Sequence, residues 1–281
     1  MPSEEPRNLN RRDLLAMGLA AAGTLALGKS SFGADTPESS PYGPFKMGIQ
    51  SYSLRAFDFD EALARTKAYG LHYWESYSAH ISPDSDAERI ERVKAHAKAA
   101  GIKVTGFGVI HFGKELDQNR KLFEFGKRLG IEYFSCDPSP DAFDGLDKLV
   151  EEYGIPCGIH NHGPGHAFAK IDTIAEAIKD HHPKIGCCID TGHFLRSSED
   201  PVRAVEVFDA RIYGVHLKDV KDAKTFTVLG EGDLRLVDLL KALANRKYQY
   251  GLALEYEEKP KVPDADIRAC LAATRKAAAA L

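Results

Sequence analysis

Short apolar runs alternate with longer amphipathic stretches along most of this chain, and this alternation limits the possible fold more than any other feature. Eight runs have the length of a β-strand; they lie at 46–53, 73–77, 103–112, 133–137, 156–162, 185–190, 212–218 and 251–256. Most are followed by a helical pattern with apolar residues three and four positions apart, as at 59–69, 86–99, 116–129, 171–181 and 237–245. This order is typical of repeated strand–helix units and a parallel sheet.

Glycine marks several junctions between these units. Gly70, Gly101 and Gly130 each follow a predicted helix and precede the next strand, where a helix C-terminus favours glycine. Eight units in about 235 residues fit a closed barrel better than an open doubly wound sheet, and no glycine-rich dinucleotide loop follows the first strand. We therefore predict an α/β fold, a single-domain (β/α)8 TIM barrel over residues 45–281, preceded by a Pro/Ser-rich linker at 35–44.

The first 34 residues have the layout of an export signal. Arg11 and Arg12 precede an uncharged apolar run at 14–27, which resembles a twin-arginine signal. The run of about 14 residues is too short to span a bilayer. We predict that residues 1–34 are removed and that the mature protein is exported to the periplasm. A retained signal that tethers the protein to the membrane is the alternative, because Phe32 fits a small-residue cleavage site poorly.

Charge and cysteine content exclude several classes of protein. The formal net charge is −4, and it becomes −5 without residues 1–34, which hold four basic and three acidic residues. Nothing in this balance favours a nucleic acid or an anionic membrane surface as a partner. The five cysteines are odd in number and lack CxxC spacing, so a disulfide framework is not expected. Cys157, Cys187 and Cys188 lie in apolar runs and are predicted to be buried small hydrophobes.

The last four predicted strands end in residues that bind metals. These residues are His160, Asp190, His216 and Glu255. In a (β/α)8 barrel the site lies where the strands end, and alternation along each strand puts aliphatic neighbours towards the helices and these polar groups inside. A mixed set of imidazole and carboxylate ligands suits Mn²⁺, Zn²⁺, Co²⁺ or Fe²⁺ better than Ca²⁺, and Mg²⁺ also stays open.

Earlier strands offer further inward-facing candidates. Gln50 and His111 are candidate substrate-binding groups, and Glu75 is a candidate catalytic group because a charged side chain inside a barrel needs a partner. An ion pair with Lys or Arg is the alternative for Glu75. For His111 the alternative is a hydrogen bond within a loop. Tyr52, Tyr77 and Asp137 are weaker candidates.

Three motifs stand at the predicted strand ends, followed by the late Glu255: His160-Asn161-His162, Asp190-Thr191-Gly192-His193 and His216-Leu217-Lys218-Asp219. They resemble the xylose isomerase-like barrel superfamily, which includes sugar phosphate isomerases and epimerases, and the resemblance covers residues 46–278. It implies a divalent metal ion held by His160, Asp190, His216 and Glu255.

One position departs from the superfamily pattern. Its epimerases pair a glutamate on strand five with a glutamate on strand eight, on opposite faces of the substrate, whereas strand five here ends in His160. Histidine can bind a metal and accept a proton. A symmetrical two-carboxylate epimerisation is nevertheless not preserved.

We predict a metal-dependent isomerase or epimerase that acts on a sugar or sugar derivative through an enediolate. Glu255 is the expected base, with Glu75, His160 or His162 as the second proton carrier. Lys218 and His193 position substrate oxygens, and His162 is also a candidate substrate-binding group. The alternative is a lyase or hydratase that cleaves a 3-keto sugar or glycoside by β-elimination. Export and the missing second glutamate favour this alternative.

Two other classes of protein share features with this sequence. An apurinic endonuclease is disfavoured, because Lys218-Asp219 replaces the Asp-x-His of a three-metal cluster and the charge is negative. A non-catalytic carbohydrate-binding barrel stays open. The expected partner is a small carbohydrate rather than a nucleic acid, and the oligomeric state, with a homo-oligomer among the alternatives, is not fixed by the sequence.

Overall fold

A computed structural model describes residues 40–281, so the predicted signal at 1–34 and linker positions 35–39 lie outside the described residues. Eight parallel strands form the barrel: β1 (Lys46–Gln50), β2 (Tyr73–Ser76), β3 (Lys103–Phe112), β4 (Tyr133–Pro138), β5 (Cys157–His160), β6 (Ile185–Asp190), β7 (Ile212–Leu217) and β10 (Gly251–Leu254). They close in the order β1-β10-β7-β6-β5-β4-β3-β2. The predicted TIM barrel is confirmed.

Helices cover the outside of the barrel: α1 (Phe59–Ala68), α2 (Ala87–Ala99), α3 (Leu116–Leu129), α4 (Phe143–Tyr153), α5 (Ile171–Ile178), α6 (Thr191–Arg196), α7 (Pro201–Phe208), α8 (Leu236–Asn245) and α9 (Asp264–Ala278). Local signals set their ends. Asp58 caps α1 by accepting the Glu61 N–H at 2.9 Å, and Gly130 ends α3 in the left-handed conformation with φ of 81°. Within residues 40–281 no helix has the length and apolar character needed to cross a membrane.

The first strand is shorter than predicted. It ends at Gln50, and residues Ser51–Leu54 form a 3-10 helix. The side-chain oxygen of Gln50 accepts the Tyr52 N–H at 3.0 Å, which satisfies a backbone donor at the start of this turn. The chain therefore leaves the barrel earlier, and Tyr52 faces the rim.

The main core lies between the barrel and the helices. Ile159, Val215, Leu217 and Leu254, predicted to face the helices, are buried there. All five cysteines are buried and free, as expected for small hydrophobes. The alternation of polar and apolar residues along the strands therefore sets which side chains enter the barrel.

A tyrosine fills the barrel interior below the strand ends. The ring of Tyr133 lies where a Cβ on Gly106, Gly214 or Gly251 would come within 2.5, 3.0 or 2.6 Å of its atoms. Three different strands thus carry glycine where this one ring needs space. The Tyr133 hydroxyl donates to Glu75 Oε2 at 2.6 Å.

A hairpin that the sequence did not predict follows β7. It consists of β8 (Asp219–Lys221) and β9 (Thr225–Thr227), which pair antiparallel. The buried Asp219 carboxylate holds it: Oδ1 accepts the N–H of Val220 and Leu234, and Oδ2 accepts the N–H of Gly230 and Gly232. The hairpin places Phe226 beside the strand ends, with its ring 5.2 Å from Lys218 Nζ.

Candidate metal centre and active site

Four side chains converge at the carboxyl ends of β5, β6, β7 and β10. One ligand atom from each of His160, Asp190, His216 and Glu255 lies within 4.8 Å of the others, and all four residues are buried. His160 Nε2 is 3.1 Å from His216 Nδ1 and 3.4 Å from Asp190 Oδ2. Two ligands bound at about 2.1 Å and separated by 90–109° lie about 3.0–3.4 Å apart. The spacing therefore fits one shared cation.

Unsatisfied polar atoms support the same fit. Among residues 40–281, Asp190 Oδ2 is buried without a hydrogen-bond partner, although Lys218 Nζ lies 3.0 Å away. The ion pair with Lys218 offsets the cost of burying this oxygen, and the absence of an aligned donor leaves a lone pair free for a metal ion. Two imidazoles and two carboxylates suit a divalent transition metal or Mg²⁺. The residues present thus fit the metal ion that the sequence predicts.

Neighbouring side chains fix the ligands in place. Asp190 Oδ1 accepts the His193 N–H at 2.7 Å and so caps α6. The amide of Asn161 clamps the Asp190 backbone, accepting its N–H at 2.8 Å and donating to its carbonyl at 2.9 Å. The Thr191 hydroxyl donates to the Lys218 carbonyl at 2.6 Å. Sequence reasoning missed the roles of Asn161 and Thr191, although both lie inside the motifs.

Glu75 lies behind the ligand set. Its Oε1 is 3.0 Å from His216 Nε2, and the Ser135 hydroxyl also donates to it. Burial would raise the pKa of Glu75, but His216 and the hydroxyls of Ser135 and Tyr133 lower it. The arrangement directs His216 Nδ1 towards the metal position. It suits a role in orienting His216 rather than the predicted role of a proton carrier in contact with substrate.

A cavity of about 330 Å³ opens above the ligands; it is lined by Gln50, Tyr52, Tyr77, Ser78, Gly108, Val109, His160, His162, His193, Lys218, Glu255 and Glu257. Four of the five predicted substrate-binding residues are in this lining. The fifth, His111, is exposed outside it, and its Nδ1 pairs with the Asp137 carbonyl at 2.8 Å. His111 thus makes a hydrogen bond, as its alternative predicted, but the partner is the neighbouring strand β4 rather than a loop.

The charges in the cavity are strongly coupled. Lys218 Nζ lies 3.0 Å from Asp190 Oδ2 and 3.0 Å from Glu255 Oε2, and it also contacts Glu257. Burial would lower the pKa of Lys218, but these carboxylates raise it. Burial would likewise raise the pKa of Glu255, whereas Lys218 and His216 lower it. Glu255 is therefore ionised at neutral pH, as a base must be.

Two histidines in the cavity wall, His162 and His193, are neutral at pH 7. Burial and the nearby His160, His166 and His193 lower the pKa of His162 to about 3. Burial also lowers the pKa of His193, against the effect of Asp190. Both rings can therefore donate or accept hydrogen bonds with substrate hydroxyls without carrying a charge.

Comparison with known proteins agrees with this architecture. The family model described as a xylose isomerase-like TIM barrel matches residues 63–276. An inosose dehydratase from Mesomycoplasma hyopneumoniae (strain J) is 27% identical over 226 residues, which cover 71% of this chain and 73% of that protein.

Two solved structures show the same fold. An uncharacterised protein from Parabacteroides distasonis superposes with a TM-score of 0.67 at 26% identity, covering 83% of this chain and 99% of that one. A D-psicose 3-epimerase from Clostridium cellulolyticum also gives 0.67, at 16% identity, covering 83% of this chain and 99% of that one. At this identity the epimerase is evidence for the fold alone.

Proposed function

Because the chain belongs to the xylose isomerase-like TIM barrel family, we propose that it is a metal-dependent lyase that forms an enolate and eliminates a β-substituent from a keto sugar or keto cyclitol. The substrate is a small polyhydroxylated ketone. A divalent ion in the ligand set would polarise the substrate carbonyl and stabilise the enolate charge.

The observation that carries this proposal is the one-sided placement of carboxylates in the cavity. Glu255 and Glu257 are the only carboxylates in the lining given above, and both follow β10. Gln50, Tyr52 and Tyr77 form the wall contributed by β1 and β2. Epimerisation by two carboxylates needs one on each face of the substrate, whereas elimination needs one base and an acid for the leaving group.

Glu255 is suited to be the base. Its Oε2 faces His216 at 3.2 Å and Lys218 at 3.0 Å, and in the described part of the chain its Oε1 has no hydrogen bond. Oε1 would take the proton from the carbon next to the ketone. The C–H electron pair passes into the enolate and then forms the Cα–Cβ double bond as the β C–O bond breaks, and the leaving oxygen takes a proton from the ammonium group of Lys218. The protonated Glu255 returns its proton to Lys218, whose Nζ is 3.0 Å from Glu255 Oε2, and both side chains regain their starting charges.

The other polar groups in the cavity position the substrate. Lys218 holds its ammonium group beside the ligand carboxylates, where it would attract substrate oxygens. Gln50 is fixed by its hydrogen bonds to Glu75 and to the Gly108 carbonyl. The sequence relative named inosose dehydratase supports elimination over epimerisation.

Metal-loaded protein in D2O tests the reaction. We expect an inosose or a 3-keto glycoside to exchange the proton next to its carbonyl and to release water or an alcohol. NMR measures both the exchange and the release. Glu255→Gln should lower turnover by about 10²–10⁴-fold, the usual contribution of a general base. Metal content is measured alongside, because Glu255 also belongs to the ligand set.

A nearby carboxylate provides the matched control. Glu258 is exposed and outside the cavity lining, so Glu258→Gln should keep wild-type turnover. Inversion at a carbon without elimination would instead establish the isomerase or epimerase. Saturable binding with neither exchange nor turnover would establish the non-catalytic barrel.

A further inference from the structure

A second group of metal-binding side chains lies at the mouth of the cavity. Asp137 is in β4, His162 follows β5 by two residues, and His166 is in the same loop. One ligand atom from each lies within 4.8 Å of the other two, and all three residues are half-buried. None of the three belongs to the buried ligand set. The end of β4 and the loop after β5 therefore bring two imidazoles and a carboxylate together.

Hydrogen bonding does not account for this grouping. His162 makes no hydrogen bond with any residue in 40–281, and its ring packs against other imidazoles, 4.7 Å from His160 and 4.4 Å from His166 between centroids. Lone pairs and N–H groups left without partners are unfavourable even in a half-buried site. A cation would use the free lone pairs.

The distance between His166 and Asp137 points the same way. His166 Nε2 is 3.6 Å from Asp137 Oδ2, which is too long for a hydrogen bond. Two ligands bound at about 2.1 Å with an angle of about 118° lie about 3.6 Å apart. The pair is thus spaced as ligands of one ion rather than as donor and acceptor.

We propose that Asp137, His162 and His166 form a second divalent-metal site, separate from the buried one. Its two nitrogens and one oxygen suit a transition metal such as Zn²⁺ or Co²⁺, with open positions for water. Because His162 also lines the cavity, the ion would lie within reach of a substrate oxygen. The site does not depend on which reaction the buried centre performs.

Binding of a metal ion by Asp137, His162 and His166 would change one local contact. His166 Nδ1 accepts the Phe168 N–H at 3.2 Å. A ring that binds a metal through Nε2 carries its remaining proton on Nδ1, so the Phe168 amide would lose this partner. The ring of Phe168 is buried, but Gly165 and Ala167 beside it in the chain are exposed, so water is available at this part of the loop.

A third cluster, formed by Asp144, Asp147 and His181, serves as a contrast. There His181 Nδ1 lies 2.9 Å from Asp147 Oδ2, and Asp147 Oδ1 accepts the His182 N–H at 2.8 Å. These polar groups satisfy one another, so we assign no ion to them. The cluster supplies a control for adventitious binding.

Metal stoichiometry tests the proposal. Purified full-length protein, stripped by a chelator, is titrated with Co²⁺ and followed by d–d absorbance, and Zn²⁺ content is measured after desalting. We expect two equivalents in the wild type, and one equivalent in His166→Gln and in Asp137→Asn. Removing a ligand should raise the Kd of the lost site by more than about 100-fold, since even loss of an outer-shell partner costs 10–100-fold.

His181→Gln is the matched control and should keep both equivalents. Circular dichroism of the stripped proteins establishes that His166→Gln and Asp137→Asn are folded. One equivalent in the wild type, two in either rim variant, or a loss in His181→Gln would each overturn the proposal. None of these measurements depends on turnover. A result that contradicts the second metal site therefore leaves the lyase proposal untouched, and the reverse also holds.

Discussion

At the scale of single residues, position within the barrel decides what a carboxylate does. Glu75 and Glu255 both contact His216, yet Glu75 is below the ring at Nε2 and Glu255 is beside Nδ1, at the cavity. A carboxylate on the far nitrogen fixes the tautomer and raises the basicity of the ligating nitrogen. We therefore infer that Glu75 positions His216 for the proposed metal centre.

Glu75→Gln tests this role. The amide oxygen can still accept the His216 Nε2–H, and its nitrogen can face Tyr133, so the change removes charge with little change of shape. We expect metal affinity at the buried site to fall about 10–100-fold, measured by competition with a chromophoric chelator. Glu257→Gln, which removes a cavity carboxylate without contact to His216, should change it far less. Equal affinities in both variants would refute the positioning role.

His80 gives a pH dependence that belongs to the fold rather than to the metal. Its Nε2 donates to the Phe57 carbonyl at 3.0 Å, and Nδ1 is buried without a partner among the described residues. Burial lowers the pKa of His80, against the smaller effects of Phe57 and Asp58. Between that lowered pKa and about 6.5 the unfolded chain binds more protons, so this contribution to stability is lost as pH falls through the window.

His80→Gln keeps a donor at the position of Nε2 but cannot titrate. The free energy of unfolding in urea, measured from pH 7.5 to 5, should fall more steeply for the wild type than for the variant. The difference between the two curves isolates His80, because every other titrating group is shared. Parallel curves would show that His80 is protonated as easily in the folded as in the unfolded protein.

At the scale of elements, one carboxylate organises the hairpin beside the active site. Asp219 accepts four backbone N–H groups from the β8–β9 region and the segment after it. Phe226 on this hairpin contacts His193, with ring centroids 5.6 Å apart. The hairpin thus shields one side of the cavity, and its shape depends on a single buried charge.

Asp219→Asn should loosen this element. The amide nitrogen cannot accept the N–H groups of Gly230 and Gly232, and losing two hydrogen bonds to a charged group costs about 3–6 kcal/mol of unfolding free energy. Urea unfolding measures the loss, and hydrogen exchange should rise within 219–234. Asp233→Asn replaces an exposed carboxylate whose Oδ2 accepts the Ala223 N–H. This change should lower the free energy of unfolding by about 0.5 kcal/mol. Similar losses in both variants would contradict the organising role.

At the scale of the whole molecule, the barrel and the four ligands follow from local patterns, whereas the supporting contacts do not. Strand bounds and strand-final residues are periodic features that can be read from the chain itself. The position of Glu75 depends on a register shift between Trp74 and Glu75 against β3. The Asn161 clamp and the Asp219 hairpin depend on contacts 29 and 11–15 residues apart. No local pattern encodes such pairings.

The ring of Tyr133 fills the barrel below the buried candidate metal centre, and the cavity opens on the other side. Below His216 the described side chains Glu75, Tyr133 and Cys188 are fully buried, whereas the cavity opens above the four candidate ligands. An ion must therefore leave by the route through which the substrate arrives. Bound substrate would block this route, so the metal ion should exchange with solvent more slowly in the presence of substrate than in its absence.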